Sequence, residues 1–270
     1  MVADLQSSPS VADSIAPFYL AGGNEVEVFQ AAARQGLPIM LKGPTGCGKT
    51  RLVEHMAARF GVPLFTVSCH EDMTASDLLG RYVLVGGDTV WVDGPLARAA
   101  REGGICYLDE IVEARQDATV AIHSLTDHRR EVNIERRGGE VIKAAAGFTL
   151  VCSYNPGYQS VLKDLKMSTR QRMVAIELTY PPPELERTII LREGGTERHL
   201  DDLLRLGDAL RRAKDAGLPE VASTRALVSA SRLIAEGLAF SDAAHAAIAL
   251  PLTDDRDLGT QLTALINSYN

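Results

Sequence analysis

Five short apolar runs mark the first two thirds of the chain, at residues 37–41, 63–69, 104–108, 148–153 and 173–178. Apolar runs this short and this unbroken predict strands buried on both faces, as in a parallel sheet covered by helices. Helical spacing fills the gaps between them. Residues 25–32 form one predicted helix with Asn24 placed to cap it, and residues 49–60 a second that opens directly after a glycine-rich turn. Two stretches break the alternation. Residues 82–92 predict a hairpin turning at Gly86-Gly87, and residues 131–142 another turning at Gly138-Gly139.

After Pro181-Pro182-Pro183 no strand pattern returns, and residues 184–193, 199–216, 223–237 and 254–267 carry helical periodicity. Proline both stops elements and stiffens linkers, so the triple proline predicts a boundary. The expected organisation is a mobile start over 1–17, an α/β core over 18–182 with a doubly wound parallel sheet, and a small all-α unit over 183–270.

Composition narrows the classes. The chain has 270 residues, of which 46% are hydrophobic and 23% charged, an ordinary globular make-up able to bury a substantial core. Lysine plus arginine totals 28 against 35 acidic residues, a formal charge of −7. That balance argues against a protein that coats a phosphate backbone, while leaving room for one local anion site. No run approaches the ~20 apolar residues of a membrane span. The first residues, MVADLQSSPSVADS, lack the basic start and apolar stretch of a secretory signal. Cys47, Cys69, Cys106 and Cys152 are widely spaced with no CxxC pair, which predicts reduced buried thiols in a cytoplasmic protein. His70-Glu71-Asp72 lacks the second histidine of a zinc motif.

The chemistry concentrates in three places. Gly43-Pro44-Thr45-Gly46-Cys47-Gly48-Lys49-Thr50, followed by Arg51, matches GxxxxGK[ST] between a predicted strand and a predicted helix. Glycines let successive backbone N–H groups turn inward, and the helix N-terminus adds partial positive charge, so phosphates are cradled. Lys49 is expected on the β- and γ-phosphates and Thr50 on Mg²⁺. The third apolar run ends in Asp109-Glu110, placing one carboxylate for the metal and one for the attacking water. The fourth ends in Ser153-Tyr154-Asn155-Pro156-Gly157, where Asn155 is placed to bond both the γ-phosphate and that water.

Taken together these motifs resemble the AAA+ ATPase family over residues 20–270. Gly80-Arg81-Tyr82, Thr89-Val90-Trp91, Asp93-Gly94-Pro95-Leu96 and the two hairpins are similar to the MoxR group. Leu41 through Arg51, Cys69-His70-Glu71-Asp72, the segment 105–110 and Ser153 through Ser160 look like the CbbQ/NorQ/NirQ subfamily, with CbbQ as the nearer likeness. The resemblance implies an ATP hydrolase using ATP and Mg²⁺. Asn155 matches sensor 1, Arg172 matches the arginine finger given to a neighbouring subunit, Arg170 is close enough to share that role, and Arg225 matches sensor 2. Where the subfamily usually has Phe after the finger, this chain has Met173. The resemblance further implies a homo-hexameric ring and a partner with a von Willebrand factor A domain, CbbO-like. The client the resemblance implies is inhibited Rubisco, freed of tight-binding sugar phosphates, or alternatively nitric oxide reductase or other denitrification enzymes.

Two other activities fit parts of the pattern. A nucleotide-gated binding module would need the phosphate loop and no turnover, yet Glu110 supplies the hydrolytic group. A DNA remodeller would use Arg129, Arg130, Arg136 and Arg137, against the −7 overall charge, and no nucleic acid partner is expected. Trp91, the one tryptophan, is expected either to pack across its hairpin beside Tyr82 or to anchor a partner.

Overall fold

The computed structural model describes residues 17–156, 165–213 and 221–269. The chain divides into two compact units. One holds the described residues up to Phe18 with Gly23–Gly43 and Lys49–Leu178; the other holds Tyr19–Gly22, Pro44–Gly48 and the chain from Thr179 onward.

The first unit is built on a five-stranded parallel sheet. Its strands are β1 (Ile39–Lys42), β2 (Leu64–Ser68), β5 (Ile105–Asp109), β8 (Thr149–Tyr154) and β9 (Val174–Glu177), in the order β2-β5-β8-β1-β9. All five predicted strands are present, each within a residue or two of its apolar run. The central strands are buried almost throughout, whereas edge strand β2 has only half-buried and exposed positions and edge strand β9 buries Ile176 alone. Met40, Cys106, Leu108, Leu150 and Cys152 share one cluster with Leu96, Ala97, Ala99 and Ala100 of α4 (Pro95–Glu102). The alternate residues Ile39, Leu41, Ile105, Tyr107 and Val151 are equally buried on the other face. Parallel strands direct all their carboxyl ends to one edge, so the residues following β1, β5 and β8 emerge together there.

Helix α1 (Glu25–Arg34) forms as expected, but Asn24 makes no side-chain capping bond. Its φ of −101° and ψ of 16° are not the extended geometry a capping side chain needs. The Glu25 carboxylate accepts the Gly23 N–H instead, at 2.8 Å. Helix α2 (Lys49–Phe60) spans the predicted range. Three short helices, α3 (Ala75–Leu79), α5 (Gln116–Ala121) and α6 (Met167–Arg170), were too brief to leave a period in the sequence.

The first hairpin pairs β3 (Gly80–Val85) with β4 (Asp88–Asp93), and its turn is Gly86-Gly87. Both glycines have positive φ, 62° and 97°, as a two-residue turn matched to strand twist requires. Trp91 packs across it: its ring meets Tyr82 edge-on at 5.0 Å and its indole N–H donates to Asp93 at 2.6 Å. In the second hairpin β6 (Glu131–Ile134) and β7 (Glu140–Lys143) are shorter than expected. Glu135-Arg136-Arg137 coil into a helical turn before Gly138, so Ile134 pairs with Glu140. The basic cluster here is largely paired within the chain. Arg129 bonds Asp127, Arg130 donates to the Phe148 carbonyl, and Arg137 bonds Glu140.

Among the described residues from Thr179 on, the second unit holds only helices: α7 (Pro183–Arg192), α8 (Leu200–Arg212), α9 (Thr224–Ala235), α10 (Phe240–Ala244), a wide-turned segment His245–Ala249, α11 (Leu250–Leu252) and α12 (Arg256–Asn267). Leu200, Leu203, Leu204, Leu206 and Leu210 line the buried face of α8. The α10–α11 stretch was not anticipated. Its alanines give little contrast between faces, and Pro251 reads as a breaker, yet Ala243, Ala244, Ile248 and Ala249 are all buried. Among the described residues no helix is long and apolar enough to cross a membrane.

A charged group is sealed inside this unit. Glu186, 1% exposed, takes a two-pronged bond from Arg211 at 2.8 and 2.6 Å and a third from the Thr224 hydroxyl at 2.6 Å. Thr224→Val keeps the shape and removes one donor to a buried carboxylate. It is expected to destabilise the unit by about 2 kcal/mol, read as a lowered urea midpoint.

Candidate functional site

The loop between β1 and α2 carries the phosphate motif. Gly43, Gly46 and Gly48 adopt φ values of 159°, 71° and 103°. Gly46 is also confined by neighbours: a Cβ there would lie 2.6 Å from the Ser223 Cβ, so only glycine fits. The Tyr180 hydroxyl donates to the Thr45 carbonyl at 3.0 Å and fixes the loop crest. Lys49 is buried, and its ammonium folds back to donate to the Gly43 carbonyl at 2.8 Å. Helix α2 has no acidic residue in its first turn, so the positive end of its dipole is not offset by a carboxylate. Backbone N–H groups, a helix end and a buried ammonium make a site for polyphosphate.

At the carboxyl end of β5, Asp109 enters a chain of hydroxyls. Tyr107 Oη donates to Asp109 Oδ1 at 2.7 Å, and Ser153 Oγ donates to the same oxygen at 2.5 Å. Thr50 Oγ1 lies 3.4 Å from Tyr107 Oη. The Thr50 hydroxyl and the Asp109 carboxylate are thus one tyrosine oxygen apart. Hydroxyl and carboxylate oxygens are the hard donors Mg²⁺ takes, with water and phosphate filling its remaining positions.

Glu110 sits in the left-handed region at φ 55° and ψ 46°. A non-glycine residue there costs on the order of 1–3 kcal/mol and persists only where its surroundings hold it. Its N–H donates to Ser153 Oγ at 3.1 Å. Nearby Cys69 is buried, and that burial with the Asp109 and Glu110 charges pushes its thiol up to about 12, so it is an inert packing group. Among the described residues all four cysteines are free and buried.

Asn155 follows β8 directly and is buried. Arg170 and Arg172 differ in setting. Arg170 donates to the Tyr154 hydroxyl at 3.2 Å, and its guanidinium lies over that ring at 5.9 Å. The Arg172 side chain is 44% exposed and lies 3.5 Å from Asp127. Asp127 is already engaged by Arg129, which holds its carboxyl well below the usual range. Arg225 is exposed in the first turn of α9, within the unit that contains Gly46, and its Cβ is 3.6 Å from where a Gly46 Cβ would stand. Arg51 is half-buried on α2, 3.8 Å from Glu54. Residues 157–160 of the fourth motif lie outside the described residues.

Tyr107, Ser153 and Tyr180 were not singled out from sequence. The available signal was period two: Tyr107 is two residues before Asp109 and Ser153 two before Asn155, each a hydroxyl on the same strand face as the functional group.

Comparison with known proteins agrees with this geometry. Residues 38–173 match the AAA domain of the dynein-related subfamily, and residues 186–269 match the CbbQ/NirQ/NorQ C-terminal family. Protein NorQ of Paracoccus denitrificans is 57% identical over 244 residues, 90% of each chain. The denitrification regulatory protein NirQ of Pseudomonas aeruginosa is 56% identical over 88% of this chain and 92% of its own. Protein CbbQ of Hydrogenophilus thermoluteolus is 52% identical over 92% and 93%. A solved structure of a RuvB variant from Thermotoga maritima shares the fold at a TM-score of 0.52 and 15% identity, covering 90% of this chain and 69% of its own. The chain is a member of the CbbQ/NorQ/NirQ subfamily of MoxR-type AAA+ ATPases.

Proposed function

We propose that this protein is a cytoplasmic Mg²⁺-dependent ATP hydrolase that works as a homo-hexameric ring and remodels a client enzyme with a von Willebrand factor A domain partner. The observation that carries the reading is the hydroxyl chain linking Thr50 to Asp109 beside a phosphate loop with a buried lysine. Bound Mg²⁺ would supply charge neutralisation between the β- and γ-phosphates. Lys49 holds those phosphates, assisted by the backbone of residues 43–50 and by Arg225 from the helical unit. Thr50 and Asp109 would hold the metal. Glu110 takes the proton of the attacking water, Asn155 orients that water, and Arg172 completes the site of the adjacent subunit. The helical unit beyond residue 183 serves as the lid that follows the nucleotide state.

The resemblance in the motifs points to inhibited Rubisco as client. The order of identities, 57%, 56% and 54% for NorQ and two NirQ proteins against 52% for CbbQ, favours nitric oxide reductase instead, and we adopt that as the first client to test. Purified protein is expected to release phosphate from ATP with Mg²⁺ and not in EDTA. Deleting its gene is expected to abolish nitric oxide reductase activity while carbon fixation persists. The reverse phenotype would assign the Rubisco role, and Mg²⁺-independent nucleotide handling would overturn the hydrolase reading.

A further inference from the structure

Tyr107 on β5 and Ser153 on β8 carry hydroxyls on the central strands, and both are fully buried. A buried hydroxyl is costly unless bonded, and here the partners are the functional groups themselves. Tyr107 Oη contacts Asp109 Oδ1, Thr50 Oγ1 and Ser153 Oγ at 2.7, 3.4 and 3.1 Å. Ser153 Oγ contacts Asp109 Oδ1 at 2.5 Å and receives the Glu110 N–H at 3.1 Å.

Proton counting fixes the direction of the chain. The carboxylate accepts only, so the Ser153 proton goes to Asp109. The Tyr107 proton goes to its shorter contact, again Asp109. Tyr107 Oη is then an acceptor, which makes Thr50 the donor to it. Thr50 therefore keeps its oxygen lone pairs for a cation, and Asp109, with both bonds on Oδ1, keeps Oδ2 for a metal-bound water.

We propose that Tyr107 and Ser153 are positioning residues of the metal site: Tyr107 sets the orientation of both Thr50 and Asp109, and Ser153 ties Asp109 to the left-handed Glu110 backbone. One serine hydroxyl thereby spaces the metal-side acid from the water-side acid. This rests on the Mg²⁺-dependent reading above. Groups that orient metal ligands commonly change metal affinity or activity about 10–100-fold when removed, although they touch no metal.

The test uses the full chain with a fluorescent ATP analogue, titrated with Mg²⁺ and separately measured in EDTA. Tyr107→Phe and Ser153→Ala are expected to raise the half-saturating Mg²⁺ concentration about 10–100-fold, with nucleotide affinity in EDTA unchanged. Ser153→Thr, which restores the hydroxyl, is expected to recover wild-type Mg²⁺ dependence. Tyr107→Phe keeps the ring volume, so it stands as a full test if Ser153→Ala does not fold. Wild-type Mg²⁺ dependence in every folded variant would overturn the positioning role alone. Wild-type protein whose nucleotide binding ignores Mg²⁺ would overturn the reading beneath it as well.

Discussion

Arg172→Ala is expected to lower ATP turnover by about 10³–10⁵-fold, the range for guanidinium groups supplied to phosphoryl transfer, while nucleotide binding persists. That equals about 4–7 kcal/mol of transition-state stabilisation. The reason for choosing Arg172 over Arg170 is its setting. Arg170, at the end of α6, donates to the Tyr154 hydroxyl at the end of β8 and lies over its ring. Arg172 is 44% exposed, and its contact with Asp127 at 3.5 Å competes with the closer Arg129. Exposed ion pairs of that kind contribute about 0–1 kcal/mol, so little opposes moving the Arg172 head group to a neighbour's phosphate. A role in trans has its own signature. Arg172→Ala supplies a sound phosphate site without a finger, and Lys49→Ala a finger without a sound site. Mixing the two inactive proteins is expected to restore turnover. No recovery, with both variants folded and assembled, would exclude the trans role; a comparable loss in Arg170→Ala alone would move the finger to Arg170.

The phosphate loop and the two acids are legible in the sequence because their chemistry demands contiguous residues at fixed spacing. Glycine at 46 and lysine at 49 are local requirements of a turn and a helix start. The parallel, doubly covered sheet was legible in kind, since apolar runs such as 105–108 and 150–152 must be buried on both faces, while the order of its strands was not. What stayed hidden was chemistry inside apolar runs. Tyr107 and Ser153 read as ordinary strand residues until β5 and β8 pair Leu108 with Cys152 and bring the next residues side by side. The separation of Arg170 from Arg172 likewise depends on Tyr154, sixteen residues upstream of Arg170. In the helical unit, alanine at 243, 244 and 249 erased the amphipathic signal that leucine made plain in α8.

Glu110→Gln is expected to leave ATP and Mg²⁺ bound and to lower turnover by about 10²–10⁴-fold, the usual share of a positioned general base. The amide keeps the side chain's size and can still bond a water, but cannot take its proton. Backbone geometry sharpens the expectation. Glu110 holds a left-handed conformation at φ 55°, and its N–H is bonded to Ser153. Neither depends on the side-chain charge, so the variant should fold as the wild type does. The metal-side acid is a separate residue, bonded to Tyr107 and Ser153, and is untouched. Asp109→Asn therefore gives the contrast: weakened Mg²⁺ dependence, where Glu110→Gln leaves it intact. The measurements are nucleotide affinity, half-saturating Mg²⁺ and phosphate release on each protein. Wild-type turnover in Glu110→Gln would place the proton acceptor elsewhere. Loss of nucleotide binding in a folded Glu110→Gln protein would make this carboxylate a binding group and not a base. Full binding with turnover lost would leave proton removal from water as the step that Glu110 performs.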